Sequence, residues 1–384
     1  MRDVVIVDFA RTAFSKRGGA LRFLSGAQIG ARCLTALVSK SGIWEKGGPE
    51  AVDSVIAGSI FLSKDAYTPV RYMTQLAGFP LAMEGHRVDM QDGSALASIN
   101  QAAAQIALGY ADTVIAGAME SYSTCPVFLS SRIEPYQGNA PVWLDLKQSP
   151  FAEQNLSPEE ANERLAAAWK ISREDCGEYA AESRLRLKEA FRSEHIGAEV
   201  VPISAPASLK KNEIPVEKDD FPEPGLKEDS AVLSDGAGFF LLMTPEKAAE
   251  LGYTPIARWI TGADIGTEPA LRGIAPAYSA LKALKRAGLG VKDISDWENS
   301  ELFAAENLAV MKAIKEETGT GIDRALWNPN GGALGLGYPG AASGAQMLMF
   351  ALMQMEKTGG RYASVSAACG GGLGVTVLLE NLRV

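Results

Sequence analysis

The chain opens on a short apolar run, "DVVIVDFA", stopped by Arg11 and Thr12. Its length and its β-branched residues predict a buried strand. "GAQIGARCLTALVSKSGI" follows with helical spacing, and "VDSVIAGSIF" reads as a second strand. Helix and strand keep alternating as far as "ADTVIAGA", so the first third predicts a layered α/β arrangement. From about Glu120 to Lys227 the pattern changes to proline, charge and helix formers. In "SPEEANERLAAAWKISREDCGEYAAESRLRLKEAF", Ser157 followed by Glu160 predicts a capped helix start. This segment is expected to be an inserted, mostly helical subdomain. "AVLSDGAGFFLLMTPEKAAELG" returns to strand and helix, and the last third repeats the α/β pattern before a glycine-rich end.

One stretch carries a chemical question. "VDMQDGSALASINQAAAQIALGYADTVIAGAMES" (88–121) predicts strand end, tight turn, helix and strand. The start of such a helix is where an enzyme exposes a nucleophile, yet the turn carries Asp92, a poor one. Asp followed by Gly-Ser-Ala is also a favoured helix start, worth about 1 kcal/mol as a cap. Capping is therefore the first expectation for Asp92, with a substrate-facing carboxylate compatible beside it. "GYADTVIAGAMES" (109–121) is echoed weakly by "GRYASVSAACGGG" (360–372). The echo fits either chance or a duplicated fold.

Composition narrows the classes. The 384 residues are 47% apolar and 22% charged, an ordinary globular balance with room for two or three domains. A net charge of -9 without a long basic run argues against a nucleic-acid surface. No apolar run is long enough to span a bilayer, and the short, acid-punctuated first run does not read as a signal peptide. Cys33, Cys125, Cys176 and Cys369 are scattered, with no CxxC pair. That pattern points to reduced thiols in a cytoplasm and to no metal site. "GGALGLG" and "GGGLG" lack the Gly-Lys-Ser/Thr ending of a phosphate loop, so no nucleotide cofactor is expected.

The C-terminal third carries a family likeness. "NPNGGALGLGYPGAASGAQML" (328–348) and "CGGGLG" (369–374) resemble the two glycine-rich loops of the thiolase family. "WENSELFAA", "RTAFSKRGGAL", "SDGAGFFLLMTPEKAAELG" and "AGAMES" resemble its other motifs, in the family's order. The resemblance implies a duplicated α-β-α-β-α layered α/β fold with a mostly helical inserted loop domain that covers coenzyme A. On this basis residues 1–119 and 228–247 form the N-terminal half, 120–227 the insert and 248–384 the C-terminal half. It implies a coenzyme A thioester as substrate or ligand and no other cofactor. Near the bound pantetheine, the family's Asn-Ala-Ser-Gly reads "DSAV" here, which puts Ala231 at the serine position with Ser230 beside it.

The departures fall on the reacting positions. Ungapped alignment places Asp92 where the family has its nucleophilic Cys. Tyr338 stands for the His of Gly-His-Pro, and neither His86 nor His195 lies in a motif. Ser300 stands for the Asn or His that helps bind the thioester oxygen, followed by the retained Glu301 and Phe303. The second family Cys falls on Ala368, and Cys369 lies one place later, a shift that turns a strand side chain to the other face. Gly370, Gly371 and Gly372 keep the glycine loop, and Asn330 of "NPNGG" is the expected organiser of the loops. Cys125 reads as a small buried hydrophobe.

Three functions compete. The first is a carbon–carbon lyase acting on an acyl-CoA by retro-aldol chemistry. It would use Tyr338 as base, backbone N–H groups near Asp92 and Gly371 as oxyanion donors, and Ser300 as accessory donor. The second is an inactive subunit of a heteromer, with another thiolase-like chain or a small zinc-ribbon/OB-type protein as partner. A homo-oligomer, such as a dimer, fits equally. The third is an acyltransferase using Cys369 or Cys125. A carboxylate at position 92 would form a mixed anhydride, far more easily hydrolysed than a thioester, which argues against the ordinary thiolase reaction.

Overall fold

The computed structural model describes residues 1–130, 144, 146–208, 212–221 and 229–383. The first half runs β1 (Val4–Thr12), β2 (Ser15–Lys16), α1 (Gly26–Ser41), α2 (Ile43–Gly47), β3 (Ser54–Gly58), α3 (Pro69–Leu76), β4 (Glu84–Val88), α4 (Ser94–Leu108) and β5 (Thr113–Glu120). Next come α5 (Pro158–Ala168), α6 (Arg173–Arg192), β6 (Val200–Val201), β7 (Ile203–Pro206) and β8 (Glu213–Val216). β9 (Ser234–Met243) and α7 (Pro245–Glu250) return to the first half. The second half holds β10 (Ala257–Gly266), α8 (Ala275–Ala287), β11 (Asp296–Asn299), α9 (Ala304–Thr318), α10 (Ala333–Leu336), α11 (Ser343–Thr358), β12 (Tyr362–Cys369) and β13 (Leu373–Asn381).

The main strands run in the order β11-β12-β13-β10-β1-β9-β5-β3-β4. The halves repeat one plan. In the first, β5 lies between β3 and β9, and β9 pairs with β1; in the second, β12 lies between β11 and β13, and β13 pairs with β10. β5 and β12, the two members of the sequence echo, thus hold equivalent places. The halves meet where β1 and β10 pair antiparallel, Val4 opposite Trp259.

Burial explains the patterning. β5 and β9 are buried along their whole length, so they read as unbroken apolar or small runs, as expected of strands covered on both faces. α4 and α11 share one core cluster with residues of both halves' strands. α11 buries nearly every position and is accordingly apolar all round. α1 and α3 pack on the outer side of the first half, α8 and α9 on that of the second. The result is the five-layered α-β-α-β-α arrangement.

The segment after β5 contains helices α5 and α6. Ser157 caps α5 by a capping box with Glu160, as the sequence predicts. It also contains strands: β7 and β8 form a hairpin, and β6 pairs with the end of β1, Arg11 opposite Val200. Arg11 anchors this addition. Its fully buried guanidinium is held by Glu199 at 2.8 Å and Asp219 at 2.6 Å. No helix among the described residues is long and apolar enough to cross a membrane.

Candidate active site

The site is built at the N-terminal end of α4. A tight turn, Gln91–Gly93, precedes that helix, with Gln91 in the left-handed region at φ 50°. Ser94 fastens the turn: its Oγ donates to the Gln91 carbonyl at 2.6 Å and accepts from the Met90 amide at 2.9 Å. The Asp92 carboxylate makes no cap bond to α4. The expectation that Asp92 is a helix cap is therefore corrected. Ser94 closes the turn, which frees the carboxylate to face across the molecule.

There it meets groups from three distant segments. Its Oδ1 accepts from the Tyr338 hydroxyl at 3.0 Å. Its Oδ2 accepts from Arg272 Nη2 at 3.1 Å and from the Gly370 amide at 3.2 Å. Asp92 and Arg272 are both buried. Arg272 comes from the turn Pro269–Ile274 that leads into α8, and its Nε lies 4.0 Å from Glu306 Oε1 in the first turn of α9. One buried cation thus sits between two carboxylates. Arg272 Nε and Glu306 Oε2 have no hydrogen-bond partner.

The electrostatics follow from burial. Burial opposes charge on Arg272, but Asp92 and Glu306 outweigh it and hold the guanidinium protonated. Glu306 is pushed up to about 7, by burial first; Arg272 pulls it down and Asp92 pushes it further up. Burial, then the Asp92 charge, push the Tyr338 hydroxyl well above its ordinary value. Tyr338 is thus held as a hydrogen-bond donor to Asp92.

Asp92 and Arg272 line a cavity of about 890 Å³, together with Gly370, Gly371, Gln148 and Tyr122. Its walls include Phe61 and Val127. Tyr338, Ser300 and Cys369 are not among the lining residues.

The remaining candidates divide by role. Cys369 is fully buried; its sulfur packs behind the Asp92 turn, so close that a side chain on Gly93 would overlap it at 2.4 Å. Burial and the Asp92 charge push its thiol strongly up. Ser300 Oγ accepts from the Ala368 amide at 3.0 Å, tying the end of β11 to β12. Gly371 and Gly372 both take left-handed φ, 75° and 78°, and the Gly372 carbonyl accepts from Thr267 N at 2.7 Å. Glu301 accepts from Tyr179 at 2.8 Å, Ser183 at 2.7 Å and Asn328 at 2.8 Å, which joins α6 to the glycine-rich loop. Asn330 only donates to Gln354, at 3.3 Å. The loop is organised instead by Asn328, the first Asn of the same motif. Its Nδ2 donates to the Asn299 carbonyl and Glu301, and its Oδ1 accepts from the Asn299 amide at 2.7 Å.

Ser230 bridges antiparallel to Phe303, and the Ala231 amide donates to the Leu302 carbonyl at 2.9 Å. Asp229 and Phe303, beside them, line a second cavity of about 600 Å³ against α5 and α6. Cys125 is half-buried.

Sequence reasoning missed Arg272 and Glu306. The signal for Arg272 was a lone charge in the otherwise small and apolar run "PALRGIAPAY".

Comparison with known proteins agrees with this architecture. Residues 4–246 match the family "Thiolase, N-terminal domain" and residues 253–381 match "Thiolase, C-terminal domain". The acetyl-CoA acetyltransferase of Chromobacterium violaceum is 32% identical, over 99% of this chain and 100% of that one. The mitochondrial 3-ketoacyl-CoA thiolase of Rattus norvegicus is 29% identical, over 99% of both. The crystal structure of the Bacillus anthracis acetyl-CoA acetyltransferase superposes with a TM-score of 0.90 at 28% identity, covering 100% of this chain and 99% of that one.

Proposed function

Because the chain belongs to the thiolase family, we propose that it binds a β-hydroxyacyl-CoA thioester and breaks its Cα–Cβ bond by a retro-aldol step, without an acyl-enzyme. The observation that carries this is the Asp92–Arg272 pair lining the cavity. Relatives bear the names of acetyl-CoA acetyltransferases and a ketoacyl-CoA thiolase. This chain has no thiol at the start of α4, and the sulfur of Cys369 is buried off the cavity. Acyl transfer through a thiolate needs an accessible, ionisable thiol.

A retro-aldol cleavage needs a proton acceptor for a β-hydroxyl and a positive group for the enolate oxygen. Asp92 accepts the hydroxyl proton. The Cα–Cβ bond breaks, Cβ becomes a carbonyl, and the electron pair moves onto the thioester as an enolate. Arg272 stabilises that negative charge. The hydroxyl of Tyr338 donates to Asp92 from outside the cavity lining, so the base role expected for Tyr338 passes to Asp92, and Tyr338 positions the carboxylate.

The test is incubation with 3-hydroxy-3-methylbutanoyl-CoA and longer tertiary β-hydroxyacyl-CoA esters, following acetyl-CoA and the released ketone by mass spectrometry. Cleavage by the wild type, reduced about 10²–10⁴-fold by Asp92→Asn, supports the proposal. Thiolysis of acetoacetyl-CoA with an acetyl group trapped on a cysteine overturns it. Binding of the esters without turnover, alone or with a copurifying partner, also overturns it and leaves an acyl-CoA-binding scaffold.

A further inference from the structure

The cleavage leaves an enolate whose α-carbon still needs a proton. Asp92 accepts three hydrogen bonds and has taken the β-hydroxyl proton, and Arg272 is held protonated by two carboxylates. Another hydroxyl-bearing residue lines the same cavity. Tyr122 follows β5 and lines the cavity that Asp92, Arg272 and Gly371 line. Its ring is fixed by an edge contact with Phe61, centroids 5.1 Å apart at 82°. Its hydroxyl lies over Gly340, which sits at φ 48°, and a Cβ there would come within 2.9 Å of the oxygen. The glycine leaves the hydroxyl room.

We propose that Tyr122 is the acid that protonates the α-carbon of the enolate. This rests on the retro-aldol reading and deepens it. The proton account closes. Asp92 takes the proton of the β-hydroxyl, and the Tyr122 O–H gives its proton to Cα, forming the new C–H bond. The phenolate left behind recovers a proton from the Asp92 carboxyl group. One proton moves from substrate oxygen to substrate carbon, and the enzyme returns to its starting state. Burial, then Asp92 and Glu120, push the Tyr122 hydroxyl well above its ordinary value, opposed by Arg272, so it is protonated at neutral pH. Glu120, itself buried, is occupied by the amides of Ile60 at 2.7 Å and Ser121 at 3.4 Å.

The experiment separates bond cleavage from α-carbon protonation. Wild type, Tyr122→Phe and Asp92→Asn are each incubated with acetyl-CoA in deuterated buffer, and deuterium in the acetyl methyl group is read by mass spectrometry. Ketone release from 3-hydroxy-3-methylbutanoyl-CoA is measured in parallel. Tyr122→Phe should slow deuterium incorporation about 10²–10⁴-fold, with acetyl-CoA binding nearly unchanged. Incorporation at the wild-type rate in Tyr122→Phe overturns the assignment while leaving the retro-aldol reading intact, provided ketone release still depends on Asp92. Absence of both ketone release and incorporation in the wild type overturns the two together. The substitution removes one oxygen and keeps the ring against Phe61, and equal melting temperatures verify that the fold is retained.

Discussion

The Asp92→Asn substitution reads the buried charges directly. The carboxylate has three partners, and Arg272 is the one that depends on its charge. Removing one partner of a buried ion pair usually costs about 3–5 kcal/mol, because the other charge is left unpaired. Here a second carboxylate stands by. Glu306 Oε1 lies 4.0 Å from Arg272 Nε, a separation at which two charges attract by about 4 kcal/mol at an effective dielectric constant of 20. In the wild type Glu306 titrates at about 7, pushed up by burial, drawn down by Arg272 and pushed up further by Asp92. Neutralising residue 92 removes that last push, so Glu306 ionises more readily and takes over part of the pairing. The net loss at pH 8 is then roughly 1–3 kcal/mol. Glu306 takes up a proton again as the pH falls, which leaves Arg272 without a counter-charge. The loss should therefore grow toward the full roughly 3–5 kcal/mol near pH 5.

The assay is denaturant unfolding of both proteins between pH 5 and 8, repeated on an Arg272→Met background. With the guanidinium gone, Asp92→Asn should cost much less, giving a coupling of roughly 1–3 kcal/mol. A loss that is equal at every pH, or equal on the two backgrounds, refutes the shared-cation account. This outcome differs from what capping alone would give, since Asn caps a helix about as well as Asp and stability would barely move.

Three further outcomes follow from buried groups elsewhere. Both oxygens of Asp296 and one of Glu298 lack partners on buried β11, and burial pushes both carboxyl groups well up. The folded state therefore keeps protons that the unfolded chain releases, and stability falls as the pH rises above the ordinary carboxylate range. Asp296→Asn should gain on the wild type with rising pH, by roughly 1–3 kcal/mol at pH 8, and parallel stability–pH curves refute this. Asn328→Ala removes the buried hydrogen bonds of the glycine-rich loop at a residue with φ 41°, so denaturation should show a loss of roughly 2–4 kcal/mol; a loss under about 0.5 kcal/mol counts against its organising role. Cys125 should alkylate in the native protein before the buried Cys33, Cys176 and Cys369, and peptide mapping that finds Cys369 labelled first contradicts its burial.

What was legible in the sequence was whatever depends on near neighbours. Alternating runs located strands and helices, and Ser157–Glu160 located the start of α5, because caps and burial stripes act within a few residues. The same local logic misread Asp92. Asp-Gly-Ser-Ala satisfies the rules for a helix start, but the cap rules do not say which polar side chain closes the turn, and Ser94, two residues on, does so. The partners of Asp92 stand 180, 246 and 278 residues away, beyond any periodicity. Family motifs bridged two of those distances, to Tyr338 and to the Gly370 loop. They did not reach Arg272, which lies in none of the motifs the resemblance was read from. Physical reasoning alone could have reached it. "PALRGIAPAY" offers one charge in a run of small and apolar residues, and a guanidinium buried there must find carboxylates. A carboxylate at a buried helix start and a cation in an apolar turn each pose an unsolved local problem, and the fold resolves both by placing them in contact.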